Sequence, residues 1–232
     1  MKNEELKPIV DKIITDAFNR IDYAYQHNRE KTDGKSPSEG FVDLEHQTET
    51  RLVFPRYANN GTRISEQELR FAFVEAFNAS DAVKEHNLFY SIETPTEKRY
   101  KGFSSGQPEQ HDSGRSGEFD MVILDKDLNR VCYIEFKANN ANKSDHWKDI
   151  LKLKEEGKGH LCYFIEVLKS FDNATQKSLK EDKFASFFNK KEHKKYEQNG
   201  AMINVRCYAL EGERKGQTTE GKGSEISFEK TY

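Results

Sequence analysis

Apolar residues recur along this chain with two spacings that alternate from one segment to the next. A period near that of the α-helix predicts helices, whereas strict alternation or a short continuous apolar run predicts strands. The pattern predicts helices at about residues 3–27, from Ser65 onward and at residues 145–156, and strands at residues 87–93, 160–168 and 202–210. This order predicts an α/β fold in which a mixed β-sheet is flanked by helices.

Two further strand-like runs form the most informative part of the chain. Residues 118–124 and 131–138 are rich in β-branched and aromatic side chains, and the six residues between them have turn composition. The segment therefore predicts a β-hairpin that opens with a pair between Leu124 and Val131. Because antiparallel pairs keep a constant sum of residue numbers, this opening predicts the position of every further pair.

Charged residues interrupt the hairpin strands at three positions. The predicted register places Asp120 directly opposite Glu135, and Lys137, two residues further on, points to the same face of the sheet. Like charges on opposed positions destabilise a sheet, so the two carboxylates need a partner. Mg²⁺ prefers oxygen ligands and commonly binds through one or two carboxylates, and a neighbouring lysine can activate water or offset charge on a phosphate.

The triplet Glu-x-Lys alone identifies nothing in so charged a sequence. It also begins outside the hairpin, at Glu5, Glu156, Glu181, Glu192 and Glu220. The triplet at Glu135 differs from these because it lies in an apolar strand with an aspartate predicted opposite. Its ordinary alternative is the solvated face of an amphipathic strand.

Asp120, followed after fourteen residues by Glu135-Phe136-Lys137, resembles the PD-(D/E)xK, or restriction-endonuclease-like, nuclease superfamily. The resemblance covers about residues 64–210 and departs from the family pattern in one respect, since Phe119 stands where the motif has proline. It implies an αβββαβ core and a Mg²⁺ cofactor, with Mn²⁺ as a substitute. It also implies that Asp120 and Glu135 are metal ligands together with the carbonyl of Phe136, and that Lys137 is catalytic.

Family members often contribute a further acidic residue from the first core helix. Glu68 stands three residues after Ser65, as in a capping box, so capping already accounts for it. Glu66 is therefore the predicted fourth catalytic residue, with Glu75 as the alternative on the same helix, and for each the ordinary interpretation is an exposed helical glutamate without a role in the site. In the later helix, residues 148–153 resemble the Asp-x-x-Lys-Leu helix of some members, from which Lys152 could face the site, although a solvated lysine is the default interpretation.

Three parts of the chain are predicted from composition and element order. Residues 1–63 form an N-terminal helix and connector, residues 64–210 the nuclease-like core and residues 211–232 a polar tail with a short edge strand near residues 226–228. Within the core, a polar loop at residues 94–117 and a lysine-rich helix at residues 169–196 are candidates for nucleic-acid contact.

Bulk properties narrow the functional classes. The chain has 232 residues, of which 33% are charged, with a formal net charge of −3, which does not indicate a protein that coats nucleic acid. Apolar runs are too short to span a bilayer, and the N-terminus lacks the pattern of a signal peptide. The three cysteines, in separate apolar runs, predict buried reduced thiols and a cytoplasmic protein.

The leading hypothesis is thus a Mg²⁺-dependent nuclease that acts on nucleic acid, with DNA as the expected substrate, no membrane partner, and a homodimer left open. The alternative is a non-catalytic nucleic-acid-binding or interaction protein that keeps the nuclease fold. A histidine-metal nuclease built around His111 or His146 is the least favoured hypothesis, because neither histidine has paired ligands in the sequence.

Overall fold

A seven-stranded mixed β-sheet forms the centre of the computed structural model. The structure describes residues 1–30, 41–43, 48–58, 62–101, 109–139, 141–184, 200–211 and 223–232. In chain order the strands are β1 (Phe41–Asp43), β2 (Thr48–Thr50), β3 (Phe89–Lys101), β4 (Glu109–Gln110), β5 (Arg115–Leu124), β6 (Arg130–Ala138), β7 (Leu161–Leu168), β8 (Met202–Ala209) and β9 (Ser224–Thr231). The central sheet has the order β4-β3-β5-β6-β7-β8-β9, and β1 and β2 form a separate pair.

The predicted α/β class is confirmed, since the sheet is mixed and helices cover it. The pairs β6–β7 and β7–β8 are parallel, whereas the other pairs of the central sheet are antiparallel. The helices are α1 (Asn3–Glu30), α2 (Glu66–Ala79), α3 (Asp81–Glu85), α4 (Lys143–Glu156) and α5 (Asn173–Lys177), and a π-helical turn (Ser178–Phe184) follows α5. The helices predicted at residues 3–27, from Ser65 onward and at residues 145–156 correspond to α1, α2 and α4.

Two hydrophobic cores lie on the two faces of the sheet. On one face α1 and α2 pack against Ile134 and Phe136 of β6, and on the other face α4 packs against Tyr133 and Phe164. Because successive strand residues point to opposite faces, Glu135 and Lys137 belong to the face that α4 covers. All eight residues of β7 are buried, which confirms the predicted central strand.

The prediction of a loop at residues 94–117 is wrong for most of the residues that the structure describes there. Strand β3 continues to Lys101, and β5 begins at Arg115. Thr94, Thr96 and Tyr100 are the buried positions of this extension, and buried threonine hides the strand pattern in a polar stretch. Tyr100 is 1% exposed and its hydroxyl donates to Glu156 at 3.3 Å, so it is not available for base stacking. Residues 102–108 lie outside the described residues.

The C-terminal part of the chain extends the sheet. The predicted edge strand is longer than residues 226–228, since β9 pairs with β8 over eight positions. Of the predicted lysine-rich helix, residues 185–196 lie outside the described residues, and the part before them forms α5 and the π-helical turn. The division of the chain at residues 63 and 210 stays a prediction.

Within the described ranges, every helix is too short or too polar to cross a lipid bilayer.

Candidate functional site

The β5–β6 hairpin has the predicted register over three consecutive pairs, beginning with Ile123 opposite Cys132. The predicted opening pair of Leu124 with Val131 is wrong, because an irregularity at the turn sets Leu124 against Arg130. A bulge of this kind places one additional residue on one strand and leaves the pairs beyond it aligned. The predicted register is therefore confirmed for these three pairs, which end one position before Asp120 and Glu135.

Regular pairing ends at Met121 and Ile134, one position before Asp120 and Glu135. The predicted opposed pair of carboxylates is thus not part of the ladder. Instead, Asp120 Oδ2 accepts a hydrogen bond of 2.7 Å from the backbone amide of Phe136. The side chain of Asp120 replaces a backbone carbonyl for this amide, which would otherwise lack a partner at the end of the ladder.

Glu135 is buried on the face of the sheet that α4 covers. Lys152 of α4 brings its Nζ to 2.5 Å from Glu135 Oε1 and to 2.9 Å from Asp149 Oδ1. The same ammonium group donates to the carbonyl of Glu118 at 2.7 Å. Lys152 is therefore buried within the cluster and is not the solvated lysine that was the default expectation.

Lys137 lies beside this cluster and joins it to α2. Its Nζ is 2.8 Å from Asp149 Oδ2, 3.7 Å from Glu66 Oε1 and 3.0 Å from the carbonyl of Phe136. The structure therefore brings together Glu66, Glu135 and Lys137, three of the four predicted catalytic residues, around one buried cluster. The fourth, Asp120, is anchored at the Phe136 amide beside them.

The other candidate glutamates of α2 are engaged elsewhere. Glu68 accepts a hydrogen bond of 2.9 Å from the amide of Ser65, which confirms the capping box. Glu75 accepts the Thr50 hydroxyl at 2.8 Å. Glu66 is thus the glutamate of this helix that reaches the site.

Burial and charge shift the pKa values of the cluster in opposite directions. Burial raises the pKa of Glu135 well above its usual range, and the neighbouring Asp149 carboxylate raises it further. Burial also raises the pKa of Glu66, against the influence of Lys137. For Asp149, burial alone would raise the pKa, but Lys152 and Lys137 outweigh it, so the pKa is lowered.

The two lysines keep their protons. Burial alone would lower the pKa of Lys137, but the carboxylates around it, first Asp149 and then Glu135, raise it above its usual value. The pKa of Lys152 is raised in the same way, against burial, by Glu135 and Asp149. Both side chains are therefore ammonium ions at neutral pH, which suits them to electrostatic stabilisation rather than to proton abstraction.

Sequence reasoning missed two members of the site. Arg70 of α2 places Nη2 at 2.8 Å from Asp120 Oδ1, and Asp149 bridges the two lysines. Both lie on the helix faces already selected, since Arg70 is one turn after Glu66 and Asp149 is three residues before Lys152. This helical spacing is the sequence signal from which both residues could have been predicted to lie at the site.

His146 is completely buried and has a structural partner. Its Nε2 is 3.1 Å from Glu166 Oε2 and its Nδ1 is 3.0 Å from the carbonyl of Asn142. The Glu166 carboxylate also accepts the amide of Ala141 at 3.2 Å. These bonds tie the connection after β6 to β7, and they account for the histidine without a metal.

The oxygen donors at the site have the chemistry that Mg²⁺ prefers, namely the carboxylates of Asp120 and Glu135 and the carbonyl of Phe136. Glu135 Oε1 is buried, and the Lys152 ammonium lies 2.5 Å from it. However, no group of three or more histidine, cysteine, aspartate or glutamate side chains within the described ranges is arranged to hold a metal ion. A cation at this site would therefore compete with the protein's own cations.

A scan against models of known protein families found no match, and neither did searches of curated proteins and of solved structures. The resemblance to the PD-(D/E)xK superfamily accordingly depends on the motif residues and their placement.

Proposed function

We propose that the protein is a metal-dependent nuclease that hydrolyses phosphodiester bonds of DNA. The observation that carries the proposal is the convergence of Glu66, Glu135 and Lys137 on one cluster next to Asp120, where β5–β6 pairing ends. Buried carboxylates of this density are unfavourable unless a function retains them. Acidic oxygens beside two ammonium groups fit a reaction in which a phosphate gains negative charge.

The order of elements supports a restriction-endonuclease-like core for the proposed enzyme. The sequence of α2, β3, β5, β6, α4 and β7 has the αβββαβ order of that core, with the short α3 and β4 as insertions. The acidic residues lie on the second and third strands, and the following helix contributes Lys152. Element order and motif placement agree, which is stronger support than the motif alone.

The proposed roles follow from the contacts of each residue. Asp120 and Glu135 would hold the metal through carboxylate oxygens, with the carbonyl of Phe136 as a further donor. Mg²⁺ would supply an activated water and charge neutralisation at the phosphate. Lys137, as an ammonium ion, would orient the attacking water and offset the charge that develops on the phosphate. Glu66 keeps Lys137 directed toward the mouth of the site.

Cleavage of plasmid, linear and single-stranded DNA with Mg²⁺ or Mn²⁺ tests the proposal. We expect activity from the wild type, none with EDTA, and a loss of at least about 100-fold in Lys137→Ala. Lys126→Ala is the matched control, since Lys126 lies at the exposed turn of the same hairpin. Equal activity of the wild type and Lys137→Ala would mean that no catalysis occurs at this site.

One observation favours a second candidate, a binding or interaction protein without catalytic activity. The carboxylates of Asp120 and Glu135 already have cationic partners in Arg70 and Lys152, which is the arrangement expected of a purely structural network. Calorimetric titration with Mn²⁺ separates the two. Heat of binding that disappears in Asp120→Asn and Glu135→Gln supports the nuclease, and its absence in the wild type supports the binding protein.

A further inference from the structure

Arg70 occupies the one oxygen of Asp120 that the backbone leaves available. Asp120 Oδ2 accepts the amide of Phe136 at 2.7 Å, whereas Oδ1 is 2.8 Å from Arg70 Nη2. A cation that binds Asp120 without breaking its bond to Phe136 must bind Oδ1. The guanidinium group and a divalent cation therefore compete for the same oxygen, and their like charges prevent both from occupying it.

Some N–H donors of the Arg70 guanidinium group make no close hydrogen bond. Its side chain is largely buried, yet Nη2 makes the close bond to Asp120 while Nη1 is 3.6 Å from Glu93 Oε1. The Nε atom is buried without a hydrogen-bond partner. An arginine usually pairs with an oxyanion through two parallel N–H groups. The present contacts leave that capacity unused, as expected of a group that has a second partner in another state.

The position of Arg70 makes a phosphate the matching second partner. Glu93 is mostly exposed and Asp120 is only partly buried, so Arg70 extends from Asp120 toward the protein surface. A planar guanidinium fits two phosphate oxygens, and it loses little hydration when it leaves a carboxylate for a phosphate. Displacement from Asp120 would leave the guanidinium group near the surface and available to a phosphate.

We propose that Arg70 substitutes for the metal inside the protein. In the metal-free protein Arg70 binds Asp120, and metal binding releases Arg70 so that it can bind a substrate phosphate. This inference rests on the proposed nuclease function. It makes Arg70 a positioning residue for the metal-free state and a substrate-binding residue for the loaded state. Metal affinity and phosphate affinity then depend on Arg70 with opposite signs.

The test measures binding rather than turnover. Mn²⁺ is titrated calorimetrically into the wild type, Arg70→Gln and Asp120→Asn, and binding of a short phosphorothioate single-stranded DNA is measured with and without Mn²⁺. We expect Arg70→Gln to bind Mn²⁺ about tenfold more tightly, because the competing cation is gone, and to bind the DNA about tenfold more weakly only when Mn²⁺ is present. Asp120→Asn should lose Mn²⁺ binding.

The outcomes separate this inference from the function on which it rests. Mn²⁺ binding that needs Asp120 but is equal or weaker in Arg70→Gln overturns the role of Arg70 and leaves the nuclease proposal intact. Absence of Mn²⁺ binding in both the wild type and Arg70→Gln overturns both. If Arg70→Gln does not fold, nuclear magnetic resonance of the wild type provides the test. The side-chain Nε–H signal of Arg70, assigned by comparison with Arg70→Lys, must then shift on addition of Mg²⁺. An unshifted signal overturns the inference.

Discussion

Replacement of Lys152 by methionine tests whether the buried cluster is held by its charges. Lys152 is 7% exposed, and its ammonium lies 2.5 Å from Glu135 Oε1 and 2.9 Å from Asp149 Oδ1. With an effective dielectric constant of about 20, each attraction is about 6 kcal/mol. Desolvation of the three ions offsets much of this, and removal of one partner from a buried pair typically costs about 3–5 kcal/mol, which is the expected loss for Lys152→Met.

Urea unfolding followed by circular dichroism measures this loss as a change in the free energy of unfolding, with an unchanged dependence on urea concentration. Lys12→Met is the matched control, because Lys12 and Asp16 approach to 2.6 Å but the lysine is 70% exposed. The control should change the free energy of unfolding by less than about 0.5 kcal/mol. The double variant Glu135→Gln/Lys152→Met should be more stable than the sum of the single effects predicts, by about 2–3 kcal/mol.

Two results would refute the reasoning. Lys152→Met could unfold within about 1 kcal/mol of the wild type, which would mean that water already solvates the cluster. Alternatively, the double variant could be additive, in which case Lys152 stabilises the fold through packing of its methylene groups and not through Glu135.

Three further predictions concern stability outside the site. Gly157→Ala should destabilise the protein by about 1–3 kcal/mol in urea unfolding, since the added Cβ collides with Cys162 Sγ and the carbonyl of Leu153; an unchanged midpoint would contradict this. Burial raises the pKa of the Cys162 thiol to about 12, so the unfolded chain loses its proton first as the pH rises. This stabilisation is complete below about pH 9 and is lost toward pH 12, so Cys162 should contribute about 1.4 kcal/mol to the fall in the free energy of unfolding between pH 8 and 10, and Cys162→Ala should make that fall smaller by this amount. The pKa of Asp125 is lowered, first by the backbone amide of Asn129, so its stabilisation is present above about pH 4 and is lost at lower pH. Asp125→Asn should flatten the fall in melting temperature between about pH 5 and about pH 3.

The sequence predicted α1, α2, α4, the strands of the β5–β6 hairpin and the face of β6 that carries the site, because all of these depend on periodicity. Successive side chains of β6 point to opposite faces of the sheet, which places Glu135 and Lys137 on one face whatever their partners are. Helical spacing likewise explains why Glu66, and not the capping Glu68, reaches the cluster. These features are local, so a single sequence contains the information.

The partners of the charged side chains were harder to predict, because they depend on contacts between segments that are distant in the sequence. The sequence suggested that Asp120 faces Glu135, whereas the carboxylate prefers the amide of Phe136 and the guanidinium of Arg70. No pattern within β5 indicates that its regular pairing stops one residue earlier. The buried threonines of β3 misled for a related reason, since a polar strand looks like a loop until its neighbours are known.

The hydrogen bond from the Phe136 amide to Asp120 gives the sheet an internal reporter. Most amides of a central strand are protected from solvent exchange by backbone carbonyls, and they open only when the strand does. The amide of Phe136 is instead protected by a side chain, so its exchange rate depends on the orientation of one carboxylate. A single deuterium-exchange signal in β6 can thus follow the occupancy of Asp120 while the rest of the fold stays closed.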